Sequence, residues 1–244
     1  MAHPGRVYEK VWYHINMKKK KIIISSVLAG IAVLVGLIVA VVFIVKKNNE
    51  PFNFVEYYNK KIEIYAEENK TANNIDVAFI GDSITDHYDV KQYYPEINVL
   101  NRGICGDTTF GVENRLEVSL YDVNPKIVVM LIGINNLDTM LENYETLITK
   151  IQSNLPDTKL FIMSLLPNSK GLSYRNEQIV ENNVVLQNLA NTYGCKYINM
   201  YDKLLDETTN ELNNSYNNDG LHPNAKGYEV MTEFLKPILL EELK

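Results

Sequence analysis

Histidine and cysteine are scarce in this chain: 244 residues hold four of the first and two of the second. There is neither a His-Glu-X-X-His pair nor a cysteine cluster, which argues against metal chemistry. The phosphate-cradling Gly-X-X-X-X-Gly-Lys-Ser/Thr loop is missing too, so no cofactor is implied. Internal repeats are absent, and the only biased segment is the Asn-rich stretch 210–218. Positive charge is in deficit over most of the length. Residues 48–244 carry a net charge of −13, against +7 for residues 1–47. An acidic domain of that kind is a poor nucleic-acid binder and repels polyanionic substrates, so a neutral ligand is expected.

One stretch, Ile22 to Val45, lacks charge altogether. At the helical rise its 24 residues span about 36 Å, enough to cross a bilayer with some tilt. The run is longer than the apolar core of a signal peptide. Ser25, Ser26, Ala29 and Gly30 offer a cleavage site, but the length favours a retained anchor. Arg6, Lys10 and Lys18 to Lys21 precede it, against Lys46 and Lys47 after it, and the richer positive side normally stays cytoplasmic. The expected layout is a basic cytoplasmic segment (1–21), a single-pass transmembrane anchor (22–45), a linker with a first helix (46–72) and an outward-facing domain (73–244). About 197 residues beyond the anchor suffice for one domain with a sizeable core.

Within that domain a helix is expected from Phe54 to Glu68. Apolar runs at 75–80, 98–102, 127–132, 159–165 and 196–200 then alternate with helical patterns near 111–121, 143–154, 175–193 and 225–243. Such alternation predicts a parallel sheet covered by helices on both faces, a three-layer α/β/α arrangement. The first run ends abruptly in Gly81-Asp82-Ser83-Ile84-Thr85. A serine there sits at the carboxyl end of a strand, where open α/β sheets place their ligands. Ser83 is the candidate nucleophile, and it needs both a base and donors for an oxyanion.

Elimination supplies the base. His3 and His14 precede the anchor and fall on its other side. His87, four residues after Ser83, would share a helix face with it but reads more simply as an exposed rim histidine. His222 lies in Asp219-Gly220-Leu221-His222-Pro223, where a turn can bring Asp219 to one ring nitrogen and leave the other for the serine. Two more strand-to-glycine-loop segments follow the same layout. Asn98–Gly103 runs into Ile104-Cys105-Gly106-Asp107-Thr108-Thr109, and Lys126–Ile132 runs into Gly133-Ile134-Asn135-Asn136. Parallel strands open such loops on one edge, so Ser83, Gly106 and Asn135 can converge. The Gly106 amide and the Asn135 side chain are candidate oxyanion donors. Singly, each loop reads as an ordinary turn.

Cys105 has no base near it in sequence and is a poor rival nucleophile. Asn210 to Asn218 reads as a solvated loop, or else as a rim over an acyl-acceptor site. Most of the sixteen tyrosines read as packing residues; Tyr88, Tyr93 and Tyr94 stand out because they follow the nucleophile turn, but they are not among the candidate site residues.

The four blocks at Gly81–Thr85, Gly106–Thr108, Gly133–Asn136 and Asp219–His222 together resemble the SGNH, or GDSL-type, hydrolases over about Ile75 to the C-terminus. The resemblance implies a flavodoxin-like five-stranded sheet, a Ser83–His222–Asp219 triad, and an oxyanion hole of the Ser83 amide, the Gly106 amide and Asn135. Many members carry Gly-X-Asn-Asp in the third block, where this chain has Asn136. No Gly-X-Ser-X-Gly elbow surrounds Ser83, which sets the chain apart from ordinary α/β-hydrolases. The implied sheet order, 2-1-3-4-5, puts Cys105 and Cys195 at opposite edges, so two free thiols are expected. The implied activity is serine-esterase hydrolysis of a short acyl ester, with an O-acetylated glycan as substrate and membrane contact through the anchor alone. Lipase, lysophospholipase or thioesterase action on longer chains is the main alternative, and a non-catalytic envelope-binding protein is the alternative of a different class.

Overall fold

The computed structural model describes residues 52–244 together with Met17, Gly36 and Leu37. The run 22–45 expected to form an anchor lies, those two residues apart, outside the described residues. Among the described residues no helix is long and apolar enough to cross a membrane.

A compact unit spans Asn53–Lys244, and its centre is a five-stranded parallel sheet. The strands are β1 (Val77–Gly81), β2 (Val99–Gly103), β3 (Ile127–Leu131), β4 (Lys159–Met163) and β5 (Lys196–Ile198), in the order β2-β1-β3-β4-β5. Every residue of β1 and β3 is buried, the continuous apolar pattern that a sheet covered on both faces requires. The chain leaves β1 toward one edge to form β2 and then crosses back to form β3 on the other side of β1. The crevice where these two directions diverge lies at the carboxyl ends of β1 and β3.

The helices pack by their periodic faces. The α1 helix (Phe54–Asn69) opens on Asn53, whose side chain accepts the Glu56 amide. Two single turns, α2 (Ser83–Asp86) and α3 (Val90–Tyr93), follow β1. The pattern near 111–121 is not one helix. It divides into α4 (Thr109–Asn114) and a π-turn (Glu117–Tyr121), because Arg115 between them turns its guanidinium into the core. In α5 (Leu141–Asn154), Tyr144, Leu147, Ile148 and Ile151 form the buried stripe. The α6 helix (Asn176–Thr192) buries Asn182 and Asn183 beside Ile179 and Leu186, and Asn183 both accepts the Leu165 amide and donates to the Leu165 carbonyl. The short α7 (Tyr201–Leu204) leads into a two-residue ribbon, Leu205–Asp206 against Glu211–Leu212. The chain ends in α8 (Ala225–Glu242), whose Tyr228, Met231, Thr232, Leu235 and Leu239 face inward.

The unit starts at Asn53, so α1 belongs to it; a domain edge at residue 73 cuts this helix off. Tyr65 of α1 is buried and donates to the Gly103 carbonyl, and Asn69 donates to the Val118 carbonyl at 2.7 Å. Arg102, fully buried, donates to Glu68 and, at 2.7 Å, to Asn69.

Gly103 closes β2 against the backbone of α2. A Cβ placed there would lie 2.1 Å from the Asp86 nitrogen and 2.5 Å from the Thr85 carbonyl carbon. Backbone cannot rotate aside as a side-chain tip can, so Gly103→Ala is expected to destabilise by about 1–3 kcal/mol, the usual range for overpacking. Urea unfolding measures it, and a midpoint equal to wild type would show that α2 can retreat.

Candidate active site

The carboxyl end of β1 feeds straight into the nucleophile turn. Asp82 caps α2, its Oδ1 accepting the Ile84 amide at 3.0 Å, and Ser83 occupies the first helical position. An amide at that position has no partner within its helix and is free to meet a developing negative charge. Ser83 is 4% exposed, and its Oγ lies 2.8 Å from His222 Nε2. His222 Nδ1 lies 2.7 Å from Asp219 Oδ2. A carboxylate can only accept, so Nδ1 carries the proton and Nε2 presents its lone pair to the serine hydroxyl.

The Asp219 turn is tightly built. Asp219 Oδ1 accepts the His222 and Leu221 amides at 2.8 and 2.9 Å. Burial pulls the Asp219 carboxyl upward, but the bonds to the His222 ring and to these two amides outweigh it and hold the group at about 2. Asn217, 2% exposed, accepts the Gly220 amide at 2.8 Å and donates to the Asn213 carbonyl at 2.9 Å. The Asn-rich stretch is therefore not solvated throughout: Asn214 and Asn218 are exposed, while Asn217 pins the turn that carries Asp219 and His222.

The oxyanion candidates come from the loops after β2 and β3. Gly106 has φ +78°, left-handed backbone that favours glycine, and its amide meets no protein acceptor among the described residues. Asn135 donates from Nδ2 to the Asp107 carbonyl at 2.8 Å, which fixes the side chain and leaves its second N–H for a ligand. Asn136, the departure in the third block, ties the same loops: its Oδ1 accepts the Thr109 amide at 3.3 Å and its Nδ2 donates to the Thr109 hydroxyl at 2.9 Å. Here the amide accepts one bond and donates the other; an aspartate could meet the same pair only by accepting both, with the Thr109 hydroxyl turned to donate.

Beneath these loops lies a buried charge cluster that residue patterns did not disclose. Arg115, 2% exposed, donates to Asp107 Oδ2 at 2.8 Å, the Arg102 carbonyl at 2.8 Å, Ser119 Oγ at 2.9 Å and the Gly81 carbonyl at 3.0 Å. Burial raises the Asp107 carboxyl against the pull of Arg115. Asp82 is 1% exposed and its Oδ2 has no partner. Burial, with Asp107 adding to it, pushes Asp82 up to about 7. Tyr228 of α8 was missed as well; its hydroxyl donates to the Ile84 carbonyl at 2.8 Å and braces α2 from behind. Neither Arg115 nor Tyr228 carried a motif signal.

The remaining candidates fall away from the serine. His87 is exposed, with its ring centroid 5.4 Å from that of His222. Cys105 and Cys195 are free thiols, and burial raises both above the usual thiol range, so neither is an activated nucleophile. Tyr88 stacks on Tyr228 and shares hydrogen bonds with Tyr94 and Thr232, which places it in packing. Among the described residues no group of three His, Cys, Asp or Glu side chains is arranged to hold a metal ion.

A doubly wound sheet carrying a serine, histidine and aspartate in one hydrogen-bonded line, with the serine at the start of a helical turn, has the arrangement of a nucleophilic triad. The GDSL-like Lipase/Acylhydrolase family matches residues 79–230, more than half of the chain, and the chain belongs to that family. A Drosophila melanogaster relative, platelet-activating factor acetylhydrolase IB subunit beta homolog, is 32% identical over 124 residues, covering 47% of this chain and 55% of its own length. The chain spans about half the length of the curated relatives it matches. A solved Streptococcus pneumonia structure, carrying the provisional description of a platelet activating factor, superimposes with TM-score 0.71 and 26% identity over 82% of this chain and 99% of that one. An acetylxylan esterase from Geobacillus stearothermophilus shares the fold with TM-score 0.56 and 20% identity, over 68% of this chain and 95% of its own.

The orphaned Asp82 carboxyl has a consequence for stability. Its folded value of about 7 exceeds the unfolded value of about 3.9, so the native state keeps a proton that the unfolded chain has released. This contribution is complete below about pH 4 and is lost as pH rises to about 7, by up to about 4 kcal/mol. Asp82→Asn keeps the Oδ1 cap and cannot ionise. Urea unfolding at pH 5 and pH 8 should therefore show a drop in wild type that the variant lacks; equal drops would mean that Asp82 is charged in the native state throughout.

Proposed function

We propose that this chain is an extracytoplasmic serine esterase that hydrolyses short-chain acyl esters, with O-acetyl groups on a carbohydrate as its substrate. The observation that carries this reading is the Ser83 Oγ–His222 Nε2–Asp219 line, at 2.8 and 2.7 Å. Ser83 attacks the ester carbonyl while His222 takes its proton. Asp219 stabilises the imidazolium, and the Ser83 amide, the Gly106 amide and the second Asn135 N–H receive the oxyanion. His222 returns the proton to the departing alcohol, then activates a water that opens the acyl-enzyme.

An acetyl group is supported by the acetylhydrolase description of the Drosophila relative. A neutral glycan suits the acidic domain, and an outward position is supported by the uncharged run 22–45 with its preceding lysines. Longer acyl chains are the second reading, favoured by one feature. A groove of about 610 Å³, lined by Phe54, Val55, Ile62 and Val118 among others, borders Gly106.

Three measurements test the reading. Asn135→Ala is expected to lower kcat on p-nitrophenyl acetate by about 10²–10³-fold, the typical loss of one oxyanion donor, in a protein that still folds cooperatively with a somewhat lower unfolding midpoint, since the bond to the Asp107 carbonyl is lost too. Unaltered turnover would remove Asn135 from the mechanism. Across acetyl, octanoyl and palmitoyl nitrophenyl esters kcat/KM should fall with chain length; a rise would replace the short-acyl reading with the lipase one. A fluorophosphonate probe should label Ser83, and a folded protein left unlabelled there would point to a binding protein instead.

A further inference from the structure

We infer that α1, which precedes the matched family span, is a brace for the oxyanion loop, and that Lys61 and Tyr57 act as positioning residues for hydrolysis through Asp86. The inference rests on the ester-hydrolase reading above.

Asp86 is the last residue of α2, the turn that Ser83 begins, and its side chain is 5% exposed. Its Oδ1 accepts the Lys61 ammonium at 2.7 Å. Its Oδ2 accepts the Tyr57 hydroxyl at 2.7 Å and the Cys105 amide at 3.0 Å. One carboxylate thus joins the nucleophile turn, the oxyanion loop and α1. The Cys105 amide belongs to the residue immediately before Gly106, so this bond helps set the direction of the next peptide plane, whose N–H is the Gly106 donor. Phe54, one turn before Tyr57 and Tyr58, lies against Gly106 itself: a Cβ built on the glycine would fall 2.4 Å from the Phe54 ring. Tyr58 donates to the Gly111 carbonyl at 3.0 Å, holding the helix that follows the loop.

A glycine at φ +78° has no side chain to lock its own plane, so its orientation is imposed from outside. On one side Asn135 holds the Asp107 carbonyl, and on the other α1 holds the approach through Asp86 and Phe54. Lys61 is the cation set 2.7 Å from the buried Asp86 carboxyl, and it holds that carboxyl in place between α2 and the oxyanion loop. Without it the carboxylate is drawn to solvent, and the Cys105 amide loses its acceptor. An oxyanion donor is effective because it is already aimed, and small misplacements are costly.

The test uses the full chain, with Lys61→Met, Tyr57→Phe and Lys61→Arg. Asn69→Ala serves as a control that loosens the far end of the same helix. The two disruptive variants should lose about tenfold in kcat on p-nitrophenyl acetate with KM within about twofold, as a misaimed donor would. Affinity for an alkyl boronic acid, whose serine adduct places an oxygen in the oxyanion hole, should weaken by the same factor as kcat. Lys61→Arg should recover most of both, and Asn69→Ala should lower the melting temperature while leaving both unchanged. Wild-type kcat in Lys61→Met and Tyr57→Phe would overturn the brace, as would a kcat loss with unaltered boronate affinity or an equal loss in Asn69→Ala. A wild type that neither hydrolyses the ester nor takes a phosphonate on Ser83 would overturn the hydrolase reading, and the brace with it.

Discussion

The Arg115 guanidinium is the constraint around which the site is assembled. Its nitrogens reach the carbonyl at the end of β1, a carbonyl near the end of β2, the Asp107 carboxylate and the Ser119 hydroxyl. Burying a cation costs several kcal/mol unless its donors are satisfied, and here each terminal nitrogen and Nε has an acceptor. What the arrangement secures is register. The nucleophile leaves from Gly81 and the oxyanion loop from Gly103, and both strand ends are tied to one planar, rigid group whose fork tolerates little displacement.

The nucleophile turn, the oxyanion loop and the histidine turn each carry a carboxyl group, and the three are held in different states. Asp219 is half exposed and saturated with donors, so it stays ionised far into acid and can face an imidazolium. Asp107 is buried but paired, and its charge is shared with Arg115. Asp82 is buried with one oxygen unpartnered and stays protonated to near neutrality. Chemically identical side chains are thus sorted by burial, hydrogen bonding and neighbouring charge. Only the first faces the reaction.

The legible part of this site consists of groups whose chemistry demands a residue type at a turn. Ser83 at a strand end, the Asp219-His222 spacing and the glycine of the Cys105-Gly106 loop could be read because few other residues can serve there. The sheet was legible for a similar reason: β1 and β3 are apolar throughout, and no surface strand has that pattern. Arg115 was not, because a single arginine inside an amphipathic pattern reads as a surface residue until its acceptors, two of them strand-end carbonyls that carry no residue signal, are seen. Asn217 was hidden by its neighbours, since an Asn-rich stretch averages to a solvated loop even when one member is buried. The role of α1 escaped because its buried face is made of hydrogen bonds from Tyr57, Tyr58 and Asn69 rather than of aliphatic side chains. Hydrophobic periodicity does not register such contacts.

The hydrogen bond between Ser83 and His222 closes a separation of 139 residues, and α2 is held from one side by α1 and from the other by Tyr228 of α8. Each end of the domain therefore grips the same single helical turn. During synthesis the serine emerges long before its base, and α8, the helix that backs it, follows that base. A nascent chain that has not reached residue 222 holds an ordinary alcohol at Ser83, with no imidazole to take its proton. The order of the chain itself keeps serine and imidazole apart until their separated segments have folded together.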